Sequence, residues 1–215
     1  MSLHREGPTV VAIDGPAGSG KSTVARLVAS RLGLPHVDTG AYYRAATLAV
    51  LLAGVDPADE QAVPAIVSAA VIQRVGGRTL LDGVDVEEQI RSTRVAAHVS
   101  AVARQPKVRD LLLDSQQQAV SREGGVIEGR DAATRVAPDA GVKVWLDASV
   151  QERGRRRAMQ SGQPDRTEFH IRDLARRDAA DAAQMSRDPQ AVVVDTTGLS
   201  LEQVVATVVA LVRPG

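Results

Sequence analysis

The stretch from Val10 to Thr23, VVAIDGPAGSGKST, constrains this chain more than any other. Its first four residues are a continuous apolar run of the kind that fills a strand buried on both faces. The run breaks into Gly15-Pro16-Ala17-Gly18-Ser19-Gly20-Lys21-Ser22-Thr23, and an amphipathic helical pattern follows. This is G-x-x-x-x-G-K-[ST] in a strand–loop–helix setting. Glycines let the backbone curl until its N–H groups face inward on an anion. The helix that follows points the positive end of its dipole at the same place. Residues Gly15 to Thr23 are therefore expected to cradle a nucleoside triphosphate, with Lys21 on the β- and γ-phosphates and the Ser22 hydroxyl offered to Mg²⁺.

Around this stretch, apolar runs alternate with helical patterns. Strands are expected at Thr9–Ile13, Leu34–Val37, Val142–Leu146 and Ala191–Val194. Helices are expected at Lys21–Arg31, Tyr42–Ala53, Val95–Val102, Val108–Val120, Glu152–Gln160, Phe169–Gln184 and Leu201–Val212, with a weaker one at Pro64–Ala70. Such alternation implies a parallel sheet wrapped in helices, an α/β three-layer fold. One region breaks the pattern: Val71–Val75, Gly76-Gly77 and Arg78–Leu81 read as a β-hairpin, so this region is expected to be an insertion. Val126-Ile127 is a two-residue apolar run leading into Glu128-Gly129-Arg130-Asp131.

Composition narrows the class of function. The 215 residues suit one domain, and 44% are hydrophobic, enough for a sizeable core that must be Val, Leu, Ile and Ala because aromatics are 2%. A formal charge of +0 argues against a general nucleic-acid or membrane-surface binder. No cysteine is present, which removes disulfides and thiol chemistry. No signal peptide or membrane-spanning run is read, so a cytoplasmic protein is expected. Lysine occurs only at 21, 107 and 143, and the remaining positive charge is arginine, which forks onto phosphate. The chain contains no asparagine, so the Asn-Lys-x-Asp base-recognition motif of GTPase switches is absent. A small-molecule kinase needs arginines for charge on two phosphates, a cover against water and an acceptor pocket. The basic helix with Arg153, Arg155, Arg156 and Arg157, and the insertion before residue 100, fit a cover and an acceptor clamp. His36 and His98 stand without a partner motif and receive no role.

Five segments occur in order: Ile13–Thr23, Val37-Asp-Thr-Gly-Ala-Tyr-Tyr-Arg44, Gln105-Pro-Lys-Val-Arg109, Glu128-Gly-Arg-Asp131 and Asp195-Thr-Thr-Gly198. Together they resemble the bacterial cytidylate (CMP) kinases over nearly the whole chain. The resemblance implies a single domain over about residues 8–213. Its P-loop core would cover about 8–45, 106–150 and 190–213, with a nucleoside-monophosphate-binding insertion at about 46–105 and a mobile LID at about 153–185. It implies transfer of the γ-phosphate of ATP to CMP or dCMP, with Mg²⁺, by a monomer. Thr39, Arg44 and Arg130 would hold the acceptor α-phosphate. Ser100, Arg109 and Asp131 would contact cytosine, and Asp181 the ribose. Glu128 would orient Mg²⁺ through water. Lys21, Arg130, Arg153 and Arg157 would stabilise the transferring group, the last two by closing over ATP. A UMP kinase, a kinase of another small acceptor, and a non-catalytic ATP-binding regulator are the alternatives. Two departures stand out. Ala132 to Ala137 lacks the family's glycine and aromatic residue, predicting a loop that packs less well, and Gln184 replaces an arginine.

Overall fold

Strand β1 (Val10–Asp14) forms the middle of a five-stranded parallel sheet among the described residues, in the order β2-β6-β1-β7-β8. The computed structural model describes residues 9–121 and 124–212. The polar leader Met1–Gly7 and the expected domain limits at 8 and 213 lie outside the described residues. The partners are β2 (His36–Asp38), β6 (Gly125–Gly129), β7 (Val142–Asp147) and β8 (Val192–Asp195). Val11 faces Val126 on one side and Val142 on the other. Parallel neighbours cannot be joined by tight turns, so helices make the crossovers and cover both faces.

The alternation along each strand divides the interior in two. Val11, Ile13, Val126, Val144 and Leu146 point to one face, where they pack on Val24 and Val28 of α1 (Lys21–Leu32) and on Val204, Val205 and Val208 of α8 (Leu201–Val212). Ala12 and Ile127 point to the other, under α2 (Thr39–Leu52), α4 (Thr93–Ala103) and α5 (Pro106–Ser121). Each fully buried Val or Ile contributes about 1.5–3 kcal/mol, and period-two alternation is what lets one strand serve both cores.

The insertion continues that second core outward. α3 (Ala62–Ala69) contributes Val63 and Val67, and an antiparallel sheet of β3 (Ile72–Val75), β4 (Arg78–Leu81) and β5 (Val84–Asp85) contributes Ile72 and Leu81. The expected hairpin is thus three-stranded: β5 is only two residues long, too short to show a period. Helix α2 runs unbroken across the expected boundary at residue 45. Beyond the sheet, α6 (Val150–Gln160) packs on α7 (Thr167–Asp181). At Gly154 an added Cβ would collide with Ile171, so the two helices meet backbone to side chain. Among the described residues no helix is long and apolar enough to cross a membrane.

Two local expectations change. β6 is a full five-residue strand grown from the Val126-Ile127 run, because Gly125 N–H bonds Thr9 O at 2.9 Å and Val126 N–H bonds Pro35 O at 2.8 Å. The segment after Asp131 is not poorly packed. It forms a π-helical turn, Ala132–Val136, with Ala132, Ala133, Val136 and Ala137 all in the core. Small side chains fit there because the turn lies against the end of β1.

Candidate active site

The C-terminal ends of β1, β2 and β6 converge, and the loops that leave them build the site, as expected for an open parallel sheet. The loop after β1 curls tightly over β7: a Cβ on Gly15, at φ 150°, would collide with the Leu146 carbonyl oxygen. Lys21 Nζ donates to Pro16 O at 2.8 Å, which folds its stem back over the loop. Burial pushes the Lys21 ammonium down to about 7, with Arg130 pushing the same way and Glu128 and Asp14 opposing. Ser22 Oγ, in the first turn of α1, donates to Glu128 Oε2 at 2.7 Å.

On the other side, Asp38 ends β2 and caps α2 by accepting from Ala41 N at 3.1 Å. Its second oxygen receives Arg44 Nη2 at 2.5 Å. Gly40 leaves room for this return; a Cβ there would sit 2.9 Å from Arg44 Nη1. Burial pushes the Asp38 carboxyl up, but Arg44, Arg74 and Arg91 outweigh it and hold it below the usual range. Thr39 Oγ1 donates to Glu128 O at 2.7 Å, tying the start of α2 to the end of β6.

Beyond Glu128, Arg130 Nη2 pairs with Asp181 Oδ2 at 2.9 Å. Asp131 pairs with Arg109, which is 8% exposed and lies with its guanidinium carbon 5.4 Å from the centre of the Tyr43 ring. These groups share one cavity of about 540 Å³. Lys21, Ser22, Thr39, Arg44, Ser100, Arg109, Glu128, Arg130, Asp131, Arg157 and Asp181 all reach its wall, as does Gln184. Every residue expected on the acceptor side is therefore brought together, with part of the loop.

Gly15, Pro16, Ser19, Gly20 and Thr23 do not line this cavity, and neither does Arg153. It is buried under the loop, with Nη1 2.7 Å from Ala17 O and from Asp178 Oδ2, and Nε 3.0 Å from Ala148 O. Asp178 Oδ1 also accepts from Ala17 N at 3.4 Å, so this pair grips both polar groups of the loop tip. Neither that pairing nor the part played by Asp14 was legible beforehand. Asp14 accepts from Ala132 N and Ala133 N, both at 2.8 Å, and so caps the π-helical turn from 118 residues away. Burial pushes its carboxyl up to about 6, and the two amides limit the rise. Only its position before Gly15 hinted at a role.

Ser22 and Glu128 fit a magnesium ion. Both are hard oxygen donors aimed at one another at the phosphate end of the cavity. Among the described residues no cluster of three or more His, Cys, Asp or Glu makes a cage of protein ligands alone. Mg²⁺ is commonly held in this way, by one or two protein oxygens with phosphate and water completing the shell. A second cavity of about 370 Å³ opens beside Gly20 and Thr23, between Arg155, Arg156 and Met159 of α6 and Thr196, Leu199 and Leu201 after β8.

A phosphate loop at one end of the cavity and arginines at the other fit a P-loop kinase. Residues 11–214 match the sequence profile of cytidylate kinase. A cytidylate kinase of Geobacter sulfurreducens is 43% identical over 225 residues, covering 99% of this chain and 96% of its own length. One from Mycolicibacterium paratuberculosis is 44% identical, covering 95% of each. The chain belongs to the cytidylate kinase family and is a phosphotransferase. The solved structure of a gluconokinase from Sinorhizobium meliloti 1021 shares its fold at a TM-score of 0.50 and 17% identity, covering 98% of this chain and 94% of that one. A protein from Eubacterium ventriosum does so at 0.54 and 10%, covering 96% and 99%.

Proposed function

We propose that this chain transfers the γ-phosphoryl group of ATP to CMP or dCMP, giving CDP or dCDP and ADP, as a monomeric cytoplasmic enzyme of pyrimidine nucleotide metabolism. The observation that carries the reading is the single cavity shared by the phosphate loop, Arg44, Arg130 and the Arg109–Asp131 pair.

In this reading ATP lies along Gly15–Thr23, its base in the cavity between α6 and the loop after β8. Lys21 and Arg157 face charge on the transferring group. Arg153 acts beneath the loop, holding its tip through Ala17. The α-phosphate of the acceptor lies against Arg44, Arg130 and Thr39. Its ribose meets Asp181, and its base meets Ser100, Arg109 and Asp131. Asp131 can accept from the exocyclic amino group of cytosine, a donor that uracil lacks, and a site built on such a bond rejects the analogue. Residues 46–105 form the acceptor-binding unit and 153–185 the LID. Ser22 directly and Glu128 through water would hold Mg²⁺, which would supply positive charge against the charge that develops on the donor phosphates. No general base is needed, because the acceptor phosphate oxygen is already anionic near neutral pH.

Steady-state ADP release with CMP, dCMP, UMP, AMP and shikimate tests the reading. The highest kcat/KM is expected for CMP or dCMP. A higher value for another acceptor overturns the substrate, and no acceptor-dependent ADP overturns the activity.

A further inference from the structure

The sequence offered no partner for His36, and the structure supplies one. His36 Nε2 lies 3.0 Å from Glu128 Oε1, while Glu128 Oε2 receives the Ser22 hydroxyl at 2.7 Å. The two oxygens of one carboxylate are thus held by two different elements, β2 and α1. Facing a carboxylate, Nε2 must carry the ring proton and donate it. The Glu128 carbonyl is fixed as well, by Thr39 Oγ1.

The restraint has a specific purpose. Glu128 ends on a carboxylate three torsions from its backbone, so a single contact leaves the carboxylate plane free to turn. Ser22 alone would leave Oε1 to swing. A cleft of about 750 Å³, lined by Arg26, Arg74, Arg91, His36 and Glu128 among others, adjoins the main cavity at this group. Ser22, Asp38, Arg91 and Glu128 border both spaces, and His36 borders only the cleft. With a side chain 22% exposed, His36 stands in that cleft against Glu128, whose side chain is 4% exposed. It therefore holds the carboxylate without lining the main cavity.

We propose that His36 is a positioning residue for the metal: it fixes the Glu128 carboxylate so that a metal-bound water finds Oε2 in one place. This rests on the reading that Glu128 and Ser22 serve Mg²⁺. Partners that orient a metal's ligands are worth about 10–100-fold in affinity or activity when removed. Glu128 acts through water, so the lower end applies.

Isothermal titration of ATP with and without Mg²⁺, alongside the Mg²⁺ dependence of turnover, tests the inference. In His36→Ala the gain in ATP affinity given by Mg²⁺ is expected to shrink by about 10-fold, and the half-saturating Mg²⁺ concentration to rise to match. Mg²⁺-free ATP affinity and KM for CMP are expected to stay unchanged. His36→Gln, whose amide can still donate to Oε1, is expected to restore most of the loss. An unchanged Mg²⁺ effect in His36→Ala, or equal losses with and without the metal, overturns the inference. Glu128→Ala separates the levels. If it leaves the Mg²⁺ effect intact, the metal reading itself fails. If it abolishes the effect while His36→Ala does not alter it, only the positioning role fails.

Discussion

The two halves of the site are made from different materials. The donor half is mostly backbone: a curled loop whose conformation is forced by glycine and gripped at its tip by Arg153 and Asp178. The acceptor half is mostly ion pairs, with Arg44 on Asp38, Arg109 on Asp131, and Arg130 on Asp181. Backbone amides cannot move far and bring no counter-charge, so the loop is a rigid receptor for any triphosphate. An arginine that already has a carboxylate must share it with, or surrender it to, an incoming phosphate. That lowers the gain from bare charge and makes acceptor affinity depend on fit. Generality on one side and selectivity on the other follow from this difference.

The sharpest way to break the comparison is to remove the lysine of the donor loop. Lys21→Met is expected to lower kcat by about 100–1000-fold, the scale of losing one preorganised donor to developing charge, while KM for CMP changes little. A loss confined to KM for ATP would make Lys21 a binding group only. Asp131→Ala acts on the opposite half. It is expected to raise KM for CMP about 100-fold, through a base left without its acceptor and a buried guanidinium left without its carboxylate. ATP affinity is expected to stay within about twofold, since the loop shares no backbone with Asp131. The same variant is expected to melt at a lower temperature because Arg109 is 8% exposed. Equal losses for CMP and ATP would mean that Asp131 is only structural and that the halves are not separable.

Asp14→Asn probes the joint between them. Asp14 precedes the donor loop directly, yet its carboxylate accepts two amides from the turn that follows Asp131. An asparagine offers one acceptor and turns an amide donor toward the second N–H. KM for CMP is expected to rise by about 10-fold, the cost of one buried hydrogen bond made repulsive, with a smaller change for ATP. A larger effect on ATP would assign Asp14 to the loop rather than to the turn.

The same contrast explains what the sequence could reveal. The donor loop is contiguous, and its strand, glycines and helix follow one another, so a short window contains the whole object. Helix α8 was legible to its ends because Val204, Val205 and Val208 repeat at helical spacing. The acceptor half comes from four distant segments, and only the family resemblance joined Arg44, Ser100, Arg109 and Asp131 in advance. Contacts with no local pattern stayed hidden. The cap from Asp14 to Ala132 and Ala133 spans 118 residues, and alanines at 132, 133 and 137 looked like poor packing until the turn was seen against β1. The place of Arg153 was hidden for a related reason: a helical arginine reads the same on paper whether it faces a ligand or a loop carbonyl.

The smallest expected effect concerns the proton on Lys21, and it sharpens the donor half further. Burial lowers its pKa to about 7, so at pH 8 most chains carry this side chain neutral. Phosphate oxygens placed against it favour the ammonium form. Binding ATP at pH 8 is therefore expected to take up a fraction of a proton per site. At that pH the terminal phosphate, which titrates near about 6, has already lost its own proton and does not confuse the count. The sign is fixed: affinity for ATP falls as pH rises above 7, several-fold per pH unit until the bound ammonium itself titrates. Calorimetry in buffers of differing ionisation enthalpy measures the uptake directly. Lys21→Met is expected to abolish it, and CMP binding alone is expected to show little of it, because the acceptor half keeps its charge in arginines that do not titrate in this range. Proton release on ATP binding, or equal uptake in Lys21→Met, would place the titrating group elsewhere.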